Sequence, residues 1–311
     1  MEKIFTNLDK QIAILKSRGM KFDTDEDYNY AKTVLMQTRY YTIVNGYNKL
    51  FMLNKETNSF KPGTMLRELH GLYQFDSKLR QILFRYILKV EANIKNLISY
   101  YFSEKYGHKN YLIYTNFNSK IKNAGNKIST LLADIQKQIA QRCTDPCISH
   151  YLEIHGYVPF WVLSNILTLG TISKFYSLMR QEERQKVSKH FNIMDNELEN
   201  IILYLTPIRN FSAHGNRLYC YRSNRPLMDT QYHDKLNIQK LKTEYLQGKR
   251  DLFASYIALK SVLSKNDFKR MSKEISKAIK KLSDKLIVVE TKDVLSEMEF
   301  PTNWGNLQLL K

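Results

Sequence analysis

Glycine and proline are scarce in this chain of 311 residues, at 11 and 6. A sheet with many tight turns needs more of both, so long helices fit better. Cysteine is scarcer still: Cys143, Cys147 and Cys220 complete the set. An odd number without framework spacing argues against a disulfide scaffold and for reduced thiols in the cytoplasm. Cys143, Cys147 and His150 do not make a zinc knuckle, because the spacing is C-x3-C and no second pair follows. They read as ordinary residues in a loop before a helix, and neither a metal nor another cofactor is expected. Long apolar runs are missing too. The best, Phe160 to Ile172, is interrupted by Ser164, Asn165 and Thr168 and is too short to span a bilayer. The opening Met1-Glu2-Lys3-Ile4-Phe5-Thr6 lacks the apolar stretch of a secretory signal. No lipidation motif is present, so no membrane is expected as a partner.

Acidic residues are also in deficit. Asp and Glu number 30 against 48 Lys and Arg, a formal net charge of +18. A field of that sign favours polyanions, nucleic acid first and an anionic membrane surface second. The 21 tyrosines and 15 phenylalanines suit stacking on bases. The hydrophobic fraction of 43% and charged fraction of 25% are ordinary for a folded protein. The length allows one large or two ordinary domains.

Apolar spacing sets the expected elements. Leu8, Ile12 and Leu15 mark a first helix closed by Ser17-Arg18-Gly19. Asp25 is a candidate cap for a second, through Ala31, Val34 and Leu35. Tyr40 to Phe51 fits strand or helix, and Asn54 to Gly63 reads as a loop. Leu66 to Tyr106 carries the strongest signal, with Phe75, Leu79, Ile82, Leu83, Tyr86, Ile87, Val90 and Ile94 at i, i+3, i+4 spacing. Residues 107–127 read as a loop or insertion and Ile128 to Arg142 as a helix that Asp145-Pro146 breaks. Pro159 is suited to open a helix that continues through Gly170 to Met179. Glu182 to His190 reads as a solvated helix or turn. Leu198 to Tyr221 is expected to be helical with a bend or restart at Pro207, Ser223 to Gln239 a polar loop, and Leu252 to Leu286 one long basic helix. The fold class is therefore all-α: an N-terminal helical extension over 1–65, a helical core over 66–250 and a C-terminal basic segment over 251–311.

One segment carries candidate chemistry: Arg209-Asn210-Phe211-Ser212-Ala213-His214-Gly215. On a helix Asn210 and His214 lie one turn apart on one face, with Arg217 and Tyr221 continuing the stripe. Histidine can take or give a proton near neutral pH. Arginine offers a planar fork of donors to a phosphate and to the charge developing on it. RNA brings its own nucleophile, the 2′-hydroxyl, so a site of Arg209, Asn210 and His214 needs no metal. Its products would be a 2′,3′-cyclic phosphate and a 5′-hydroxyl. The same residues also fit an N-capping or core-satisfying Asn and His. Arg184 and His190 form a looser pair of the same kind, read as a solvated charged turn.

The R-N-x3-H pattern resembles the HEPN (higher eukaryote and prokaryote nucleotide-binding) ribonucleases. More of the chain resembles the bacterial abortive-infection AbiD/AbiF family. Leu8-Asp9-Lys10-Gln11-Ile12 with Ser17-Arg18-Gly19 is similar to its opening, and Arg39-Tyr40-Tyr41 with Asn45-Gly46-Tyr47 to its next block. Tyr73-Gln74-Phe75-Asp76 and Val90-Glu91-Ala92-Asn93 are similar to its central helix. Pro159-Phe160-Trp161-Val162-Leu163, Leu169-Gly170-Thr171 and Phe300-Pro301 with Asn303-Trp304 follow in order, so the resemblance covers nearly the full length. It implies a HEPN-like helical bundle and phage defence by toxicity through RNA. It also implies a homodimer that faces two copies of the motif across one cleft, and a small structured noncoding RNA as partner or antitoxin. Gly215 departs from the pattern, since relatives often carry a bulkier polar residue there. Glycine at that point is expected to loosen or end the helix and reorient His214.

Further contacts to RNA are expected at Arg217, Tyr221, Arg222 and Arg225, which follow the motif, and at Lys269, Arg270, Lys273 and Lys277 in the basic tail. Glu91 and Lys95, at i+4, are a candidate supporting pair; a surface pair contributes a few tenths of a kcal/mol. Two other functions fit the same residues: a noncatalytic RNA-binding partner in a defence or toxin–antitoxin complex, and a helical protein acting on a phage or host component.

Overall fold

The structure, a computed structural model, describes residues 5–54 and 56–310. Residues 1–4, part of the opening tested for a signal sequence, lie outside the described residues, as does position 55 in the expected loop. The fold is all-α. Its elements are α1 Leu8–Ser17, α2 Asp25–Thr38, α3 Leu66–Tyr106, α4 Ala124–Gln141, α5 Pro146–His155, α6 Phe160–Ile166, α7 Leu169–Leu178, α8 Gln181–Lys189, α9 Asp195–Ala213, α10 Gln231–Lys235, α11 Leu252–Val262, α12 Lys265–Ser283 and α13 Thr291–Glu297. The described strands are two short antiparallel pairs: β1 Met52–Asn54 with β2 Ser59–Phe60, and β3 Lys240–Leu241 with β4 Glu244–Tyr245.

Helix α3 is the spine. Its 41 residues contain no proline and climb about 60 Å at 1.5 Å per residue. Leu69, Leu72, Leu79, Ile87, Ile98 and Phe102 along it are fully buried, each stabilising the fold by about 1.5–3 kcal/mol. Glu68 closes its first turn, accepting from the Met65 N–H at 3.2 Å and from the Ile287 and Val288 N–H groups at 2.7 and 2.8 Å. Helices α6, α8, α9, α11 and α12 all pack on this spine. Buried side chains from Ile12 to Leu307 form one continuous core.

Several boundaries differ from the expected ones. Helix α2 is capped by Thr24, paired with Asp27, and Asp25 is its first residue. The Tyr40 to Phe51 stretch holds a π-helical turn, Tyr41–Asn45, and the expected loop after it is the β1–β2 hairpin. Helix α4 ends at Gln141 with Arg142 as its cap, as expected, but Asp145 then caps a further helix, so Cys147 and His150 sit inside α5 rather than in a loop. The helix opened by Pro159 stops at Ile166; Leu167 is extended and Thr168 caps α7, which leaves Gly170 in the first turn of α7. The polar stretch from Ser223 contains the short α10. The basic tail is likewise two helices: α11 is apolar and almost wholly buried, Leu263 is extended, and Ser264 caps α12. No described helix is long and apolar enough to cross a membrane.

Candidate functional site

Of the bend or restart expected at Pro207 there is no restart: α9 continues through it and ends at Ala213 rather than Tyr221. Gly215 causes the ending. Its φ of +72° is the left-handed conformation that closes helices and that glycine adopts without a Cβ clash. The Asn216 N–H then reaches back to the Phe211 carbonyl at 3.2 Å, and the His214 N–H to that of Asn210 at 3.0 Å. Asn210 and His214 remain one turn apart at the helix end, both exposed, and neither side chain has a hydrogen-bond partner among the described residues.

Arg209 is held from α3. Its Nε donates to Oε2 of Glu91 at 3.3 Å, and its guanidinium carbon lies 5.6 Å from the centre of the Phe84 ring. Oε1 of Glu91 pairs with Nζ of Lys95 at 2.8 Å. This pair is buried, not superficial: the Glu91 and Lys95 side chains are 6% and 11% exposed. One carboxylate thus neutralises a lysine inside the bundle and fixes the stem of Arg209. The terminal guanidinium nitrogens of Arg209 stay without a partner among the described residues, and the side chain is 30% exposed.

The chain beyond the motif is locked by a second α3 carboxylate, Asp76. It accepts the N–H groups of Leu218 at 3.0 Å and Tyr219 at 2.7 Å and the Tyr47 hydroxyl at 2.7 Å, and is ion-paired to Arg80. Arg80 donates in turn to the Asn216 carbonyl at 3.2 Å. Burial drives the Asp76 carboxyl above its usual range, against the pull of Arg80 and its hydrogen-bond donors. The Tyr219 ring stacks on Tyr47 at 5.7 Å. His214 therefore sits between a fixed helix end and an anchored segment. Sequence reasoning missed Asp76, Arg80, Tyr47 and Phe84. The available signal was Asp76 with Arg80 at i+4, opposite charges in phase with the apolar stripe of α3.

The residues expected to extend the stripe do not form one. Arg217 lies past the helix and donates to the Gly46 carbonyl at 2.6 Å. Tyr221 is buried, edge-on to Phe211 at 5.2 Å. Arg222 is tied to Glu299 at 2.9 Å and to the Glu297 carbonyl at 3.2 Å. Arg225 is exposed, and its side chain is unpartnered among the described residues. Nor is Arg184 solvated: it binds Glu199 at 2.6 Å and Asp195 at 3.2 Å, while His190 meets the Tyr101 hydroxyl at 2.6 Å. Lys269, Arg270, Lys273 and Lys277 are exposed on α12, whose Phe268, Met271 and Ile275 face the core. Helix α12 meets α3 through Lys89–Asp267 at 2.7 Å and Arg85–Glu274. At 100° per residue, Arg85 and Lys89 lie about 120–160° around α3 from Glu91. The motif and the basic helix thus occupy different sides of the spine.

This chain matches the family described as Abi-like protein over residues 33–220, well over half its length. It belongs to that family. The matched span starts in α2, includes all of α3 and α9, and ends just past the anchored segment after His214. No curated protein and no solved structure matches the chain. Among the described residues no group of three or more His, Cys, Asp and Glu side chains is placed to hold a metal ion.

Proposed function

We propose that this Abi-like protein is a metal-independent endoribonuclease of the HEPN type, close to the AbiD/AbiF proteins, acting in the cytoplasm in abortive infection. The family membership supports phage defence. The observation that carries the chemistry is Arg209: its stem is fixed by buried Glu91 while its terminal nitrogens have no partner among the described residues, beside exposed Asn210 and His214.

In this mechanism the 2′-hydroxyl of RNA attacks the adjacent phosphorus. A base removes its proton, the bond to the 5′-oxygen breaks, and an acid protonates that oxygen. The products are a 2′,3′-cyclic phosphate and a 5′-hydroxyl. Arg209 binds the phosphate through the transition state, where charge builds on its oxygens. Base and acid act on opposite sides of the phosphorus, and one motif supplies one histidine. A homodimer supplies both as two copies of His214, each able to exchange a proton near neutral pH. Apolar surface beside the motif suits such a contact: Leu88 and Phe211 are 37% and 36% exposed. Residues 66–250 carry this site and 251–311 the basic helix. The net charge of +18 suits a small structured noncoding RNA as partner.

The test is to purify the protein without nuclease treatment, sequence any RNA that comes with it, and incubate it with total RNA in EDTA. Fragments with 2′,3′-cyclic phosphate ends support the proposal. A discrete bound RNA with no cleavage under any condition leaves the noncatalytic RNA-binding reading, and arrest by EDTA refutes the metal-independent mechanism.

A further inference from the structure

A groove of about 500 Å³ lies between the first half of α3 and the second half of α12. Its walls are strongly basic. Lys78 comes from α3; Lys277 and Lys281 come from α12, and Lys285 from just beyond its end. Among the described residues Lys78, Lys277 and Lys281 have no acidic partner, and Lys285 donates to the Gln74 amide oxygen. The acid on the wall, Glu274, is already engaged by Arg85 and by the Tyr86 hydroxyl. The floor is apolar and closed, made by buried Phe75, Ala278 and Leu282. Gly71 lets the rim come close: a Cβ there would lie 3.2 Å from carbons of Lys285.

The lysines have a spacing. Lys277 and Lys281 in the groove continue a four-residue interval from Lys273 on α12, about 6 Å per step, and Lys285 follows at the same sequence interval just past the helix end. A row of such point charges follows a strand of phosphates, and lysine reads charge rather than a base edge. The ring in the floor, Phe75, is only 4% exposed and offers little face to a base, so a backbone fits the groove better than a base.

Position separates this groove from the motif. Gly71, Phe75 and Lys78 lie about 140–160° around α3 from Glu91 and about 20–30 Å from it along the axis. At about 3.4 Å per stacked nucleotide, that span is roughly six to nine nucleotides. Resting on the reading that this chain binds RNA, we infer that the α3–α12 groove is a second RNA site. It grips the phosphates of one strand on the side of the spine away from Arg209. RNA held there is a bound partner or a distant part of a long substrate, not the phosphate being cut.

The test is equilibrium binding of a labelled structured RNA at several salt concentrations, which does not depend on cleavage. Lys78→Gln with Lys281→Gln alters two exposed side chains without an acidic partner among the described residues; adding Lys285→Gln removes a third charge. Each lost single-strand phosphate contact lowers the slope of log Kd against log salt by about 0.7. The triple variant should therefore lose about 2 from the slope, and the double variant about 1.4, with weaker binding at low salt. An unchanged slope in both variants overturns the inference. So does binding of ATP that is lost in the variants while the RNA slope stays the same, which would give the groove to a free nucleotide. If the slope falls while no RNA is ever cut, the groove stands and the nuclease proposal fails.

Discussion

Two carboxylates on one helix do most of the placing around the motif. Glu91 joins Lys95 to Arg209, and Asp76 ties down the segment from Asn216 to Tyr219. Glu91→Ala strands Lys95 beneath the surface without its counter-charge. It should cost about 3–5 kcal/mol in urea denaturation, because an uncompensated buried charge is left behind; a loss under about 1 kcal/mol contradicts this placement. Glu91→Leu with Lys95→Met removes both charges at similar volume and should leave stability near the parent. On the proposed mechanism it still lowers cleavage, because the Arg209 stem is freed. The motif itself was legible, since Arg209, Asn210 and His214 have types and spacing that make sense together. Asp76 and Arg80 were not singled out, although charges in phase with Phe75, Leu79 and Leu83 must be buried and therefore must have partners.

At the level of elements, α3 is legible in the sequence because its apolar period runs for 41 residues without a proline. The paired helices α6–α7 and α11–α12 look like single ones in the sequence because apolar spacing continues across Leu167 and Leu263. In each case a hydroxyl begins a new helix. Thr168 Oγ1 accepts the Thr171 N–H at 3.1 Å, and Ser264 Oγ the Asp267 N–H at 3.1 Å. Ser264-x-x-Asp267 is a capping pattern that was available in the sequence. The end of α9 depends instead on Gly215, where glycine is expected from the sequence to loosen or end the helix and where it does end. A Cβ at Gly215 meets nothing within 4 Å, so Gly215→Ala is strained through its φ of +72° alone. It should cost about 1 kcal/mol in thermal denaturation. No change in stability would mean that the helix end does not need the left-handed residue.

For the molecule as a whole, the spine separates the two candidate sites by side. One face of α3 holds the R-N-x3-H segment, and another carries α12 and its lysines. Composition anticipated the basic character, but a one-dimensional sequence does not reveal which side of a long helix each group occupies. The same core holds a titrating group, Asp251, whose carboxyl caps α11 through the Ala254 N–H at 2.9 Å and which burial pushes up to about 6 from 3.8. The folded protein then binds this proton more tightly than the unfolded chain. Its stabilising contribution is full below about pH 4 and is lost as pH rises through about 6, a fall of about 3 kcal/mol. Asp251→Asn should lack that fall, so stability measured against pH in the two proteins should diverge between about pH 4 and pH 7. Parallel curves would contradict it.

On the proposed mechanism His214 performs chemistry rather than merely binding. The direct measurement is cleavage and affinity side by side for the parent and His214→Ala, in EDTA, on one RNA. His214→Ala should lower cleavage by at least about a hundredfold, the usual scale of a general acid–base group, and leave RNA affinity within about twofold. Equal loss of both would contradict it and make the R-N-x3-H segment a binding element.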